Sequence, residues 1–201
     1  YGVDYLTDIT SQPLVDGRTW VPEIDLRNAA PYAQFQMSMP SDLVFKAGYR
    51  YDNVTVDVPD FTQVRDAQGQ GGNFIRGGSI KFGASTFNAG LRYIGLDAFK
   101  PFVSFSQGFS IIDIGRYVRA AKENDIAAMD IKPVIVNSYE AGFHSNLGIV
   151  SLSGAYFVST SKLGANLVAR PDNSGFEIQR APELVQGCEA SVDVCKTNYL
   201  Q

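Results

Sequence analysis

The chain has 201 residues, of which 45% are apolar, 12% aromatic and 19% charged. The high aromatic content and a charged fraction below the roughly 25% of an average globular domain exclude a disordered chain. Seventeen Lys and Arg residues against 21 Asp and Glu residues give a formal charge of −4, without the basic block that a nucleic-acid partner requires. The longest apolar runs, of about five residues, are too short for a helix across a hydrocarbon core. A helical membrane protein is therefore excluded, whereas a membrane β-barrel is not.

Apolar and polar residues alternate along most of the chain, which indicates strands whose two faces meet different environments. The alternation is clear at 43–52, where Phe45 and Tyr49 alternate with Lys46 and Arg50. Strands are predicted near 1–8, 30–39, 42–58, 79–94, 98–109, 134–144, 148–160 and 174–195.

The predicted links between these strands alternate in length. The short links, at 40–41, 95–97 and 145–147, all fall at one end of a meander, and the long links fall at the other. A soluble sandwich has no reason to show this order, whereas outer-membrane barrels combine short periplasmic turns with long extracellular loops. The sequence therefore predicts an all-β fold, an antiparallel up-and-down meander that forms part of a transmembrane β-barrel.

The third long link contains a candidate ligand-binding segment. Asp113 is placed to cap a short helix, which would present Arg116, Arg119 and Lys122 within about two turns, beside Tyr117. Such a cationic patch suits an anionic ligand, or a ligand that bears hydroxamate or catecholate groups. A solvated loop helix that binds no ligand is the alternative.

Residue types that carry chemistry are scarce in this chain. His144 is the only histidine, which excludes a site of several histidines for a metal ion. Cys188 and Cys195 are expected to be unpaired, because within one strand they would point to opposite faces; they would bridge only if the chain between them turned back. Motifs of nucleophile elbows, phosphate loops, dinucleotide sites, zincins and EF-hands are missing. We therefore expect no enzymatic activity, no catalytic residue and no metal site.

Several short sequence motifs follow one another in a characteristic order along the chain. They are Ala-Gly-Tyr-Arg-Tyr-Asp at 47–52, Phe-Val-Ser-Phe-Ser-Gln-Gly-Phe at 102–109, Asp-Ile-Gly-Arg at 113–116, Asn-Ser-Tyr-Glu-Ala-Gly-Phe at 137–143, Leu-Ser-Gly-Ala-Tyr-Phe at 152–157, Arg-Ala-Pro-Glu at 180–183 and Gly-Cys-Glu at 187–189. In this order and spacing they resemble the TonB-dependent outer-membrane receptors, especially the ferric-siderophore branch.

The resemblance implies a barrel of about 22 strands that is plugged by an N-terminal domain. Residues 1–201 would form one segment of that barrel, about eight strands, while the plug and the C-terminal strands of the family are absent. Cys188 stands where the family often has an aliphatic residue, and the histidine motifs of haem receptors are missing.

Function and partners also follow from the resemblance as expectations. The protein would bind and import a ferric siderophore, as a transported ligand and with no cofactor, in the bacterial outer membrane. Its partners would be outer-membrane lipid, the siderophore and a TonB-type periplasmic energy-coupling protein that acts through the missing plug. Two alternatives are a complete eight-strand outer-membrane barrel with a structural or adhesive role and a soluble β-sandwich binding module.

Overall fold

A computed structural model describes residues 1–64, 72–111, 113–119, 124–129, 132–169 and 176–194. Within these ranges the chain forms ten strands, one short helix and one 3-10 turn at Ile126–Ala128. The strands and the helix are β1 (Gly2–Pro13), β2 (Thr19–Met39), β3 (Leu43–Val58), β4 (Phe61–Thr62), β5 (Phe74–Ile75), β6 (Gly78–Tyr93), β7 (Lys100–Ser110), α1 (Ile114–Arg119), β8 (Val134–Asn146), β9 (Val150–Ala169) and β10 (Phe176–Val194).

Eight strands form a single antiparallel sheet in the order β1-β2-β3-β6-β7-β8-β9-β10. The ladder between β3 and β6 runs without a register shift from Leu43 opposite Tyr93 to Val58 opposite Gly78. The short strands β4 and β5 pair only with each other, in the link between β3 and β6. This architecture confirms the predicted all-β meander, and the sandwich alternative is wrong because the eight strands lie in one sheet. In the described ranges, helices of the length and apolarity needed to cross a membrane are absent.

Large apolar side chains lie exposed on one face of the sheet, which we call the outer face. Tyr49 and Phe87 are directly opposite each other there, with ring centroids 5.0 Å apart. Both rings remain about half exposed, at 42% and 51%. The alternate positions of the same strands, such as Lys46 and Arg50, point to the other face, which we call the inner face.

The two faces exchange character at Asp52 on β3. From Leu43 to Tyr51 the outer positions of β3 are apolar, over roughly 27 Å of strand. A barrel strand tilted by about 40° converts that length to about 20 Å of height, close to the apolar band of an outer-membrane barrel. Beyond Asp52 the outer positions are polar and the inner positions are apolar; they are Asn53, Thr55 and Asp57 outside, and Val54, Val56 and Val58 inside.

A buried polar cluster marks this exchange on the inner face. The Asp52 side chain is almost fully buried and accepts a hydrogen bond from Asn28 Nδ2 at 2.7 Å. The Arg50 guanidinium donates to Asp52, at 3.0 Å from Nε to Oδ2, and also to Asp4. A buried carboxylate requires such partners because burial removes its hydration. The cluster therefore connects β1, β2 and β3 at one level of the sheet.

Two long loops cover the inner face beyond this level. Loop A comprises residues 59–77 and loop B residues 111–133, each with gaps in its description. Three fully buried side chains of these loops, Ile75, Val118 and Ile126, belong to one hydrophobic core. The core also contains, among others, Val21 and Ile24 of β2 and Val54, Val56 and Val58 of β3.

The sequence-based prediction of a link at 9–29 is wrong, because β1 continues to Pro13 and β2 begins at Thr19. Only a tight turn at 14–18 separates the two strands, with Leu14 N donating to Arg18 O at 2.8 Å. The apolar residues here, such as Ile24 and Leu26, point to the inner face, so they do not continue the outward apolar parity from which the strands are predicted.

The predicted link at 161–173 is also largely strand, since β9 continues to Ala169. Ala169 pairs there with Phe176 of β10. Gly164 and Ala165 have low strand propensity, and the strand here depends on its partner ladder.

Candidate functional site

The helix α1 lies on loop B and is held by its own cap and by the core. Asp113 Oδ1 accepts a hydrogen bond from Arg116 N at 2.9 Å, which confirms the predicted cap and helix. The helix buries Ile114, Gly115 and Val118. A Cβ on Gly115 would lie 2.9 Å from Val21 Cγ1, so the absence of a side chain lets the helix approach β2 closely.

The four predicted ligand-binding residues are placed differently from one another. Arg116 is exposed, and its Nε lies 3.8 Å from Asp113 Oδ2. The Arg119 guanidinium lies over the Trp20 ring, 5.0 Å from its centroid, in a cation–π contact. Tyr117 is half-buried and packs against the hydrophobic core. Lys122 lies outside the described residues.

A cleft of about 450 Å³ opens beside this helix, between the β1–β2 turn and β4. Its volume is within the range of small-molecule sites. Two of the lining residues connect the cleft to α1. Gln63 donates a hydrogen bond to the end of the helix, and Thr19 is the neighbour in sequence of Trp20, whose ring lies under Arg119. The residues that line it include Arg18, Thr19, Asp60, Phe61, Thr62 and Gln63.

Electrostatics in the cleft wall are set by a local ion pair. Arg18 Nε donates to Asp16 Oδ2 at 2.8 Å. This hydrogen bond lowers the pKa of the Asp16 carboxyl below its ordinary value. Arg18 therefore has a carboxylate partner at hydrogen-bond distance. The distance from Arg116 Nε to Asp113 Oδ2, 3.8 Å, is too long for a hydrogen bond.

Loops A and B are tied together around α1. The Gln63 amide of loop A donates to the carbonyl oxygens of Val118 and Arg119, at 3.3 and 3.2 Å. Further along, Arg76 Nε donates to Asp125 Oδ2 at 3.0 Å. The Ala127 N–H, and then the Arg76 guanidinium, hold the pKa of Asp125 below its ordinary value.

Sequence reasoning did not find Trp20, Gln63 or the Arg76–Asp125 pair. The partners of Gln63 are 55 and 56 residues away in the chain, and Asp125 lies 49 residues from Arg76. Local patterns do not encode such pairings. Trp20 carried the one available signal, because it is the single tryptophan of the sequence.

The described residues contain neither a disulfide nor a cluster of side chains that could bind a metal ion. Cys188 is exposed and unpaired, while Cys195 lies outside these ranges. No group of three His, Cys, Asp or Glu side chains suited to a metal ion occurs among the residues that the structure describes.

Comparisons with known proteins agree with this geometry. The model of the family "TonB dependent receptor-like, beta-barrel" matches residues 1–194. The chain is similar to the rhizobactin receptor of Rhizobium meliloti, at 30% identity over 73% of the chain and 22% of that protein. It is also similar to the ferric aerobactin receptor of Klebsiella pneumoniae, at 24% identity over 72% of the chain and 23% of that protein. The chain thus spans about a fifth to a quarter of these relatives.

Solved structures show the same fold. The copper transporter OprC superposes with a TM-score of 0.75 over 98% of this chain and 33% of its own, at 10% identity. Proteins of the matching family are outer-membrane transporters and not enzymes, in agreement with the expectation of no enzymatic activity. With nearly its whole length matched by the family model and its eight strands in one antiparallel meander, the chain belongs to the TonB-dependent receptor family and forms part of its transmembrane β-barrel.

Proposed function

We propose that residues 1–201 are one segment of the barrel of an outer-membrane transporter that binds and imports a ferric siderophore without chemistry on the ligand. The observation that carries this proposal is the similarity to two receptors that are named for siderophores, rhizobactin and aerobactin. The outer membrane is the location, and its lipid contacts the exposed apolar outer face. Energy for import comes from a TonB-type periplasmic protein that acts through a plug domain outside these residues.

The cations of loop B recognise the anionic chelate. Guanidinium groups donate several hydrogen bonds in a fixed plane, which suits the oxygen-rich surface of a siderophore. The Trp20 ring holds the Arg119 guanidinium in one orientation, which reduces the entropy that ligand binding costs. Arg116 and Lys122 add charge from the same loop, and the adjacent cleft admits the body of the chelate.

A titration of the full-length receptor tests both the function and these residues. The probes are ferric aerobactin and ferric rhizobactin, with the iron-free siderophores as references. We expect saturable binding of at least one ferric probe. Replacing Arg116, Arg119 and Lys122 together by Ala is expected to weaken that binding at least about tenfold, because each lost charged hydrogen bond costs about 1.5 kcal/mol or more.

The matched control is Arg27→Ala, which removes a cation at the same end of the sheet but on the outer face, where Arg27 contacts Asp57. Its affinity is expected to equal that of the parent. Failure of the parent to bind either ferric probe contradicts the siderophore function. Full affinity in the triple variant removes loop B from the binding site and leaves the function in place.

The complete eight-strand barrel with a structural or adhesive role is not favoured. The family is one of transporters, and the two named relatives are receptors for iron chelates. A receptor that binds neither probe and promotes cell adhesion would revive this alternative.

A further inference from the structure

We propose that the described parts of loops A and B, 59–64 with 72–77 and 113–119 with 124–129, fold as one cooperative unit, the cap, in which Gln63 and Arg76 of loop A are positioning residues for α1 of loop B. Three kinds of contact between the loops support this proposal: an amide clamp on the helix end, a backbone bridge with an ion pair, and a shared buried core. The consequence for ligand affinity rests on the proposed function, whereas the cap itself does not.

The first contact is the clamp at the end of α1. The last carbonyl oxygens of a helix have no partner inside the helix. Gln63 supplies one to both Val118 and Arg119, and its side chain is buried, at 7% exposure. Because Arg119 is the residue that lies over Trp20, the clamp also fixes the place from which its guanidinium extends.

The second contact joins the far parts of the two loops through main-chain atoms. Arg76 N donates to Asn124 O at 2.9 Å, and Ile126 N donates to Arg76 O at 3.0 Å. The Arg76 side chain crosses the same junction to Asp125. Asp125 in turn accepts from Ala127 N at 2.9 Å and caps the 3-10 turn.

The third contact is the core beneath both junctions. Ile75 comes from loop A, and Val118 and Ile126 come from loop B. All three are fully buried in the core that also contains Val54 and Val56. Separating the loops would expose these apolar side chains to water, which is unfavourable. Shared burial of this kind makes the two loops open together.

Loop A is also anchored to the strand end at a glycine. Gly77 N donates to Asp60 Oδ1 at 2.6 Å. A Cβ at this position would lie 2.3 Å from Val58 O, so the backbone passes the end of β3 at a distance that only glycine permits. The cap is therefore continuous with the β3–β6 hairpin that carries it.

Hydrogen exchange on the full-length receptor without ligand tests this cooperativity. Gln63→Leu removes the clamp, and Arg76→Ala removes the ion pair at a side chain that is 71% exposed. In one cooperative cap, Gln63→Leu raises exchange about tenfold and Arg76→Ala several-fold at 113–119 and 124–129 of loop B and at 74–77 of loop A, although the Gln63 amide bonds Val118 and Arg119 and the Arg76 guanidinium bonds Asp125. If the two loops open independently, Gln63→Leu loosens loop B but leaves exchange at 74–77 of loop A at the parent rate, and that result overturns the proposal.

Control variants separate positioning from general damage. Gln12→Leu changes an exposed glutamine near the end of β1 and is expected to leave exchange unchanged. Arg76→Lys keeps the cation beside Asp125 and is expected to restore most of the protection at 113–119. Exchange at 137–143 of β8 should be the same in all variants, and a rise there would mean that the barrel itself has loosened, which overturns the assignment of a local role.

The ligand arm is read separately from the exchange arm. Gln63→Leu is expected to weaken ferric aerobactin or ferric rhizobactin binding several-fold, and Arg76→Lys to bind as the parent does. Cooperative exchange with unchanged affinity overturns the positioning role and keeps the cap. If the parent binds neither probe, the proposed function fails while the exchange data still decide whether the cap exists.

Discussion

Aromatic rings packed over cross-strand glycines recur in this sheet. The Phe102 ring on β7 covers Gly142 on β8, where an added Cβ would lie 2.8 Å from Phe102 Cζ and 2.5 Å from Gly154 O. The ring fills the space that the missing side chain leaves and fixes the register of the pair. The same arrangement joins Tyr32 with Gly2, Tyr51 with Gly83, and Phe157 with Gly187.

A change of Gly142 to Ala is expected to destabilise the barrel by about 1–3 kcal/mol, because the new methyl group meets backbone as well as the Phe102 ring. Denaturant unfolding of the full-length receptor in detergent measures the effect. Gly108→Ala on β7 is the matched control, since an added Cβ there has open space around it. Equal stabilities of the two variants would contradict the packing role of Gly142.

The loop elements depend on a carboxylate in a way that pH can reveal. Asp125 receives the Ala127 N–H and the Arg76 guanidinium, which lower its pKa from the ordinary 3.8. A carboxyl whose folded pKa is lowered stabilises the fold above its unfolded pKa, and this contribution is lost as the pH falls through the folded value. The contribution of Asp125 to the cap is therefore expected to be present at neutral pH and lost in acid.

Asp125→Asn provides the measurement. At pH 7 the variant is expected to show faster exchange at 124–129 than the parent, because the amide lacks the charge that Arg76 and the Ala127 N–H contact. This difference should shrink as the pH falls below about 4 and the parent carboxylate is protonated. A difference of constant size down to the most acid pH would show that charge on Asp125 plays no part.

At the scale of the whole molecule, the sheet has two zones of opposite polarity. In the first zone apolar residues point out and charged residues point in, as expected where lipid contacts the outer face of a barrel. Beyond Asp52 the two loops cover the inner face and the preference reverses, as expected where water surrounds the outer face. One strand therefore serves two environments in sequence.

An arginine placed on each face of the first zone tests this orientation. Ala89 of β6 is exposed on the outer face between Ala47 and Phe105. Ala89→Arg is expected to cost about 2–4 kcal/mol of stability in a bilayer, since the charge enters the hydrocarbon. Ser106→Arg, on the inner face of β7, should cost much less stability. If Ser106→Arg costs more than Ala89→Arg, then the inner face and not the outer face contacts lipid.

Most of the membrane zone could be predicted from the sequence. Lipid imposes one simple rule on every strand, and side chains such as Phe45 and Tyr49 reveal it at local range. The family resemblance added the expected context of those strands, and the family match confirms it. The α1 helix was also predictable, because Asp113 caps it from a position three residues before Arg116.

Contacts between distant parts of the chain were beyond prediction from local patterns. The strand at Thr19–Met39 was only half recognised, because its residues before 30 point their apolar side chains at a cap that forms from loops far along the chain. Two site contacts depend on the same long-range packing. They are the contact of the Arg119 guanidinium with the Trp20 ring and the hydrogen bonds of Gln63 to the end of α1. The solvent on each face is the same along a whole zone, so it produces a periodic pattern of apolar and polar residues in the sequence. A contact between two specific distant residues produces no such pattern, and only the folded structure determines it.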